Sequence, residues 1–227
     1  MRQGATWSLV VGLALATGAG ATTLDVRPPG QRYSVPVTSL KEARFRTTVR
    51  QQYDFSCGSA AAATLLTFQY GHPVSEAEVF QQMFSTGDPR RIRKEGFSML
   101  DMRRYLASQG FEADGFQLPL DKLAEEGLPA IVLLNDRGYR HFVVVKGIRG
   151  ERVLLGDPSR GTRAMPRSQF ERLWDNRVLF VVHNRRELAQ FNRPADWRIA
   201  PGAPIDTVIQ REGLQNFATP KHGPGDF

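Results

Sequence analysis

Cysteine is almost missing from this chain: Cys57 is the single one among 227 residues. A lone thiol closes no internal disulfide, so the fold is not a stapled scaffold. It is a buried apolar filler, an intermolecular link or a reactive group. Charge is equally scarce at the amino end, where Arg2 is the only charged residue before Asp25. No glycine-rich phosphate loop and no dinucleotide fingerprint occurs, so nothing points to a nucleotide. His72, His183 and His222 have no metal-ligand spacing with each other or with Cys57, and Met83, Met99 and Met102 read as packing. Neither a metal nor a cofactor is expected. The densest basic run, Arg90-Arg91-Ile92-Arg93-Lys94, lacks interleaved aromatics. It reads as a solvated loop, and no nucleic-acid partner is expected.

What is present suits an exported globular domain. Hydrophobic residues make up 41% of the chain, enough for a core, and the formal net charge of +7 suits contact with anionic surfaces or acidic partners. Leu9 to Ala16 is an apolar run, followed by the small residues Ala19-Gly20-Ala21. That pattern is an export signal with cleavage after Ala21, which implies a periplasmic protein. Retention of the segment as a membrane anchor is the other reading, disfavoured because the run is shorter than the ~20 residues a span needs. The expected organisation is a signal at 1–21, a leader or arm at 22–42, a catalytic domain at 43–185 and a Pro-rich extension at 186–227. Trp197 is the residue expected to dock that extension.

Residues 37–49 read as an extended arm. A helix from Cys57 to about Tyr70 carries Ala61, Leu65 and Phe68 at helical spacing. Ser75 to Glu78 is a capping-box opening for a second helix, and Ser98 to Asp101 opens a third. A short helix covers Leu120 to Glu126. The period then changes. Ala130 to Leu134, His141 to Gly147, Val153 to Asp157 and Val178 to Val182 read as strands, with turns at Asn135–Gly138 and Arg149–Arg152. A further helix over Ser168 to Trp174 takes Ser168 and Glu171 as its cap pair. The expected fold is α+β, a helical front half packed on an antiparallel sheet.

The chemistry-bearing stretch is Gln51-Gln52-Tyr53-Asp54-Phe55-Ser56-Cys57-Gly58-Ser59. A thiol at a helix start meets unpaired N–H groups and the positive end of the helix dipole, and both favour thiolate. Downstream come His141 and Asp157 on neighbouring strands of one hairpin. Cys57 as nucleophile, His141 as proton carrier and Asp157 as its orienter make a cysteine-nucleophile set. Gln51 offers a side-chain amide beside the Cys57 N–H for an oxyanion, and Gly58 lets a substrate backbone come close. Taken singly, His141 is also readable as a satisfied strand-edge histidine, Asp157-Pro158 as a turn and Gln51 as a surface amide.

In order, Gln51-x-x-x-x-x-Cys57-Gly58, His141-Phe142-Val143-Val144-Val145 and Gly156-Asp157-Pro158-Ser159-Arg160-Gly161 resemble the papain-like cysteine peptidases that process bacteriocin leaders after double glycine. The resemblance runs from about Thr48 to His183. It implies a papain-like fold and the roles just given to Cys57, His141, Asp157 and Gln51. The export signal makes the chain most similar to stand-alone periplasmic members that accompany functional-amyloid secretion. Two departures stand out. Ser56 occupies the place before the nucleophile where transporter-fused members carry an acid, with Asp54 nearby, and the chain holds no Gly-Gly pair of its own. The expected activity is endoproteolysis of a secreted peptide or protein, after small or glycine residues, with components of a secretion system as partners. The alternatives are a peptide-binding, secretion-assisting module of the same fold and acyl transfer to an amine.

Overall fold

The computed structural model describes residues 22–26, 33–37 and 39–200. The expected signal at 1–21 and the extension beyond 200 lie outside the described residues. Thr22–Val26 (β1) and Tyr33–Val37 (β2) pair antiparallel, with Thr22 opposite Val37 and Val26 opposite Tyr33, and belong to a unit of their own.

The second unit begins at Leu40. The stretch read as an extended arm contains a short helix, Leu40–Arg44 (α1). Cys57–Thr64 (α2) is built from small residues, all of them buried. Small side chains let this helix approach the sheet closely. A Cβ on Gly58 would stand 2.8 Å from Phe97 Cβ. The helix expected to run on to Tyr70 widens instead into a π-helix over Leu65–Gln69. Its last carbonyls turn outward to other donors: Phe68 O accepts from Arg193 Nη1 at 2.9 Å and Gln69 O from Gln190 N at 2.8 Å. The carboxyl extension therefore satisfies carbonyls that a helix end leaves without an intrahelical partner.

Glu76–Thr86 (α3) and Met99–Ser108 (α5) open with the expected capping boxes, Ser75 with Glu78 and Ser98 with Asp101. Between them the basic run is a helix, Pro89–Glu95 (α4), and not a loop. Asp88 caps it by accepting from Arg90 N and Arg91 N, and proline occupies its first turn. Only Ile92 is buried there, which is why hydrophobic spacing failed to reveal it.

The sheet follows: Ala113–Phe116 (β3), then helix Asp121–Glu126 (α6), Ala130–Asp136 (β4), Tyr139–Arg149 (β5), Arg152–Asp157 (β6), Gly161–Pro166 (β7), helix Arg167–Leu173 (α7), and Leu179–Val182 (β8). The six strands stand in the order β3-β8-β4-β5-β6-β7, each pair antiparallel. β3 and β7 were not visible as strands in the sequence, because neither alternates cleanly. Arg167–Leu173 lacks the expected Ser168–Glu171 cap. Pro166 precedes it, and Glu171 accepts from Arg167 Nε at 2.8 Å.

Alternate strand residues face two cores. Ile131, Leu133, Phe142, Val144 and Phe180 meet α2, α3 and α5 on one side. Val132, Leu134, Val143, Val145 and Leu155 meet Leu123 of α6 and Phe170 of α7 on the other. The sheet is thus covered on both faces. A bulge between Val145 and Gly147 interrupts the β5–β6 ladder at Lys146. Past β8 the chain runs back over the core to helix Pro194–Ile199 (α8), where Trp197 packs against Leu154 and Ala164, as its docking role required.

Candidate active site

The helix start, the loop before Cys57 and the ends of β5 and β6 opposite their connecting turn come together within the sheet's interior strands. Cys57 is the first residue of α2 and only 8% exposed. Ser56 spends its hydroxyl on Tyr53, donating to Tyr53 O and accepting from Tyr53 N, both at 3.1 Å. It therefore provides no side-chain cap to the helix. The N–H groups of Phe142, Gly58 and Cys57 lie against the sulfur and favour its thiolate. Burial is the larger influence, and it pushes the thiol up from its ordinary value. The expectation that the helix start alone makes a thiolate is therefore overturned by desolvation. The thiolate needs a partner that takes its proton.

His141 is the next residue to Phe142, whose N–H touches that sulfur. It is 1% exposed, and its Nε2 stands 3.3 Å from Asp157 Oδ2. Its Nδ1 is buried with no hydrogen-bond partner. A carboxylate at Nε2 selects the tautomer that leaves the Nδ1 lone pair open to receive a proton.

Asp157 ends β6 and is fully buried. Oδ1 accepts from Ser159 N at 3.0 Å, Ser159 Oγ at 2.8 Å and Arg160 N at 3.2 Å. Oδ2 accepts from Arg163 Nε at 3.0 Å as well as meeting His141. Burial alone would raise this carboxyl. The bond and charge of His141, the charge of Arg163 and the bond from Ser159 together outweigh it and hold the group well below the usual carboxylate range. Asp157 is thus both the turn residue and the partner of His141.

Gln51 N donates to Pro158 O at 3.1 Å, tying the cysteine loop to the turn after Asp157. Its Nε2 donates to Tyr53 O at 3.0 Å, and its Oε1 is buried without a partner. One Nε2 hydrogen is therefore spent within the loop, and the second remains for an oxyanion.

Sequence reasoning missed three contributors. Ser159 and Arg163 hold Asp157, and neither belonged to the catalytic set. Tyr139 stacks its ring on His141, with centroids 4.9 Å apart and planes at 26°. The two-residue spacing along β5, which puts both on one face, was the available signal.

A cleft of about 340 Å³ opens at the thiol, between the α4–α5 connection (Gly96, Phe97, Met99) and the strand residues Leu133 and Phe142. Phe97 also packs closely on Gly58, the residue after the thiol. Among the described residues no group of three or more His, Cys, Asp or Glu side chains is placed to hold a metal ion.

The family description "Peptidase C39 family" matches residues 46–186. The chain is 41% identical over 175 residues to the "Probable functional amyloid protease FapD" of Pseudomonas aeruginosa, covering 77% of each chain. It is 39% identical over 178 residues to the protein of the same description from Pseudomonas fluorescens, covering 78% of each. Among solved structures it is similar to the peptidase domain of Streptococcus ComA, a bi-functional ABC transporter involved in a quorum sensing pathway. That likeness has a TM-score of 0.51 at 21% identity and covers 60% of this chain and 97% of that one. At that identity it speaks for the fold, a papain-like α+β domain.

Proposed function

Because the chain belongs to the peptidase C39 family and is a cysteine peptidase, we propose that Cys57, His141, Asp157 and Gln51 carry its reaction and that its substrate is a secreted protein of a functional-amyloid export system. The observation that bears most weight is the buried His141–Asp157 pair, since His141 precedes Phe142, whose N–H lies against the thiol.

His141 Nδ1 takes the Cys57 proton, and the resulting imidazolium is stabilised by Asp157. The thiolate adds to the scissile carbonyl. The new oxyanion meets the Cys57 N–H at the helix start and the spare N–H of Gln51. The imidazolium then returns its proton to the departing amine, which leaves a thioester. Water deprotonated by His141 releases the acyl product and restores the thiol.

The same reading extends to cleavage after small or glycine residues, with Phe97 and Phe142 lining the cleft at the thiol. The amyloid assignment draws on the name of the relatives at 41% and 39% identity. Export to the periplasm follows from the amino-terminal signal pattern. Components of the same secretion route are the partners this reading implies.

The test is cleavage of the co-secreted amyloid subunit by the purified protein in reductant, read by product mass. Cys57→Ala is expected to lower turnover by roughly a thousand-fold or more, and a thiol alkylator to abolish it. Hydrolysed product supports peptidase action, whereas an amine adduct would assign acyl transfer. Secretion fully rescued by Cys57→Ala would leave a binding module and end the peptidase reading of this site.

A further inference from the structure

Tyr139 is a large aromatic left 44% exposed beside a histidine that is 1% exposed. Burial of its own surface does not explain its position. Its ring lies nearly parallel on the imidazole of His141, 4.9 Å away. That leaves it standing between the imidazole and solvent. The position is fixed by local geometry. Arg137 and Gly138 turn the chain with φ of 54° and 90°, and this two-residue turn sets Asp136 opposite Tyr139. Two residues on, His141 must share its face.

The imidazole needs a hold. Among the described residues its one hydrogen bond is the 3.3 Å contact to Asp157, at the long end for such a pair. Nδ1 has no partner until the thiol gives up its proton. A ring pinned at one atom swings about its bond to Cβ, and each swing displaces Nδ1. The charged groups near the Tyr139–His141 stack are Cys57, Asp157 and Asp54, with Arg163 behind Asp157.

We propose that Tyr139 is a positioning residue: its ring covers the open face of His141, keeps water from the His141–Asp157 bond and holds Nδ1 toward Cys57. A dry contact is a stronger one, because water no longer competes for the carboxylate or screens its charge. The aromatic face also favours the imidazolium over the neutral ring. Both effects support proton transfer from a thiol that burial otherwise keeps protonated. The inference rests on His141 being the proton carrier of the proposed function.

The test needs no substrate. Iodoacetamide alkylation of Cys57 is followed against pH in the full chain, because a thiolate–imidazolium pair reacts well below the pH at which a lone buried thiol ionises. The wild type is expected to show an acidic plateau. Tyr139→Phe, which keeps the ring, should stay within about threefold of it, and Tyr139→Ala should fall about tenfold or more on that plateau, as expected for a misplaced reacting group. Tyr139→Leu keeps the bulk without the aromatic face and replaces the alanine variant if that one fails to fold. The histidine NMR signal of His141 should move in the alanine and leucine variants and hold in Tyr139→Phe. Alanine or leucine variants within twofold of wild type overturn the inference while leaving the proposed function intact. So does a phenylalanine variant as slow as alanine. A wild type without the plateau removes the pair itself, and the proposed function falls with it.

Discussion

At the scale of single residues, Asp157 shows how much of this site is electrostatic balance. Its carboxyl sits below the usual carboxylate range despite burial. The folded state therefore favours the ionised form more than the unfolded chain does. That stabilisation is complete above the unfolded value near pH 4 and drains away as pH falls toward the folded one. Asp157→Asn should lower turnover by roughly a hundred- to ten-thousand-fold, since the imidazolium loses its counter-charge. It should also flatten the loss of stability on acidification below pH ~4, seen as urea midpoints that converge with wild type at low pH. Residue type and order singled out Cys57, His141 and Asp157, and the structure brings the last two into contact. The direction of the thiol's shift was not legible in them. A helix start favours thiolate, and only the packing of Phe142, Phe97 and α2 around the sulfur lets burial prevail.

Elements place these residues, and α2 sets the tolerance. Its buried run of small residues brings the first turn against Phe97 and Phe142. A methyl group at Gly58 has 2.8 Å to Phe97 Cβ, less than contact distance. Gly58→Ala is expected to cost about 1–3 kcal/mol by overpacking and to slow turnover by displacing Cys57, checked by urea denaturation beside a kinetic assay. Elements with a local code were readable. Ser75 with Glu78 and Ser98 with Asp101 announced two helices, and Asn135 to Gly138 a tight turn. Elements coded by distant partners were hidden. β7 is a strand because β6 pairs with it from Arg152 opposite Pro166 to Asp157 opposite Gly161. The π-helix at Leu65–Gln69 exists where Arg193 and Gln190 receive its carbonyls.

Across the second unit as a whole, the extension past the family match closes the domain. Lys146 sits fully buried at the β5 bulge. Its Nζ donates to Thr47 O at 2.7 Å, Thr47 Oγ1 at 2.9 Å and Asp196 Oδ1 at 2.9 Å. Burial pulls the ammonium down to about 8, with Asp196 pulling the other way. Thr47 leads into the cysteine loop, and its neighbour Thr48 bonds Thr162 of β7 at 2.7 Å. One buried cation thus joins the arm, the sheet and the extension. Asp196→Ala strands that charge and is expected to cost about 3–5 kcal/mol, measurable as a lowered melting temperature. Replacing both members by apolar residues of similar volume should recover most of the loss.

The chain itself determined the capped helices α3 and α5, the strands β4, β5, β6 and β8, the position of the sole thiol at a helix start and the His141–Asp157 hairpin, because caps, turns and two-residue alternation act between near neighbours. The tertiary structure alone decided which histidine nitrogen meets Asp157, that burial raises the thiol and that Asp196 neutralises Lys146. Those pairings join positions far apart in sequence, and a periodic pattern specifies the face a residue turns inward but not the residue it will meet there.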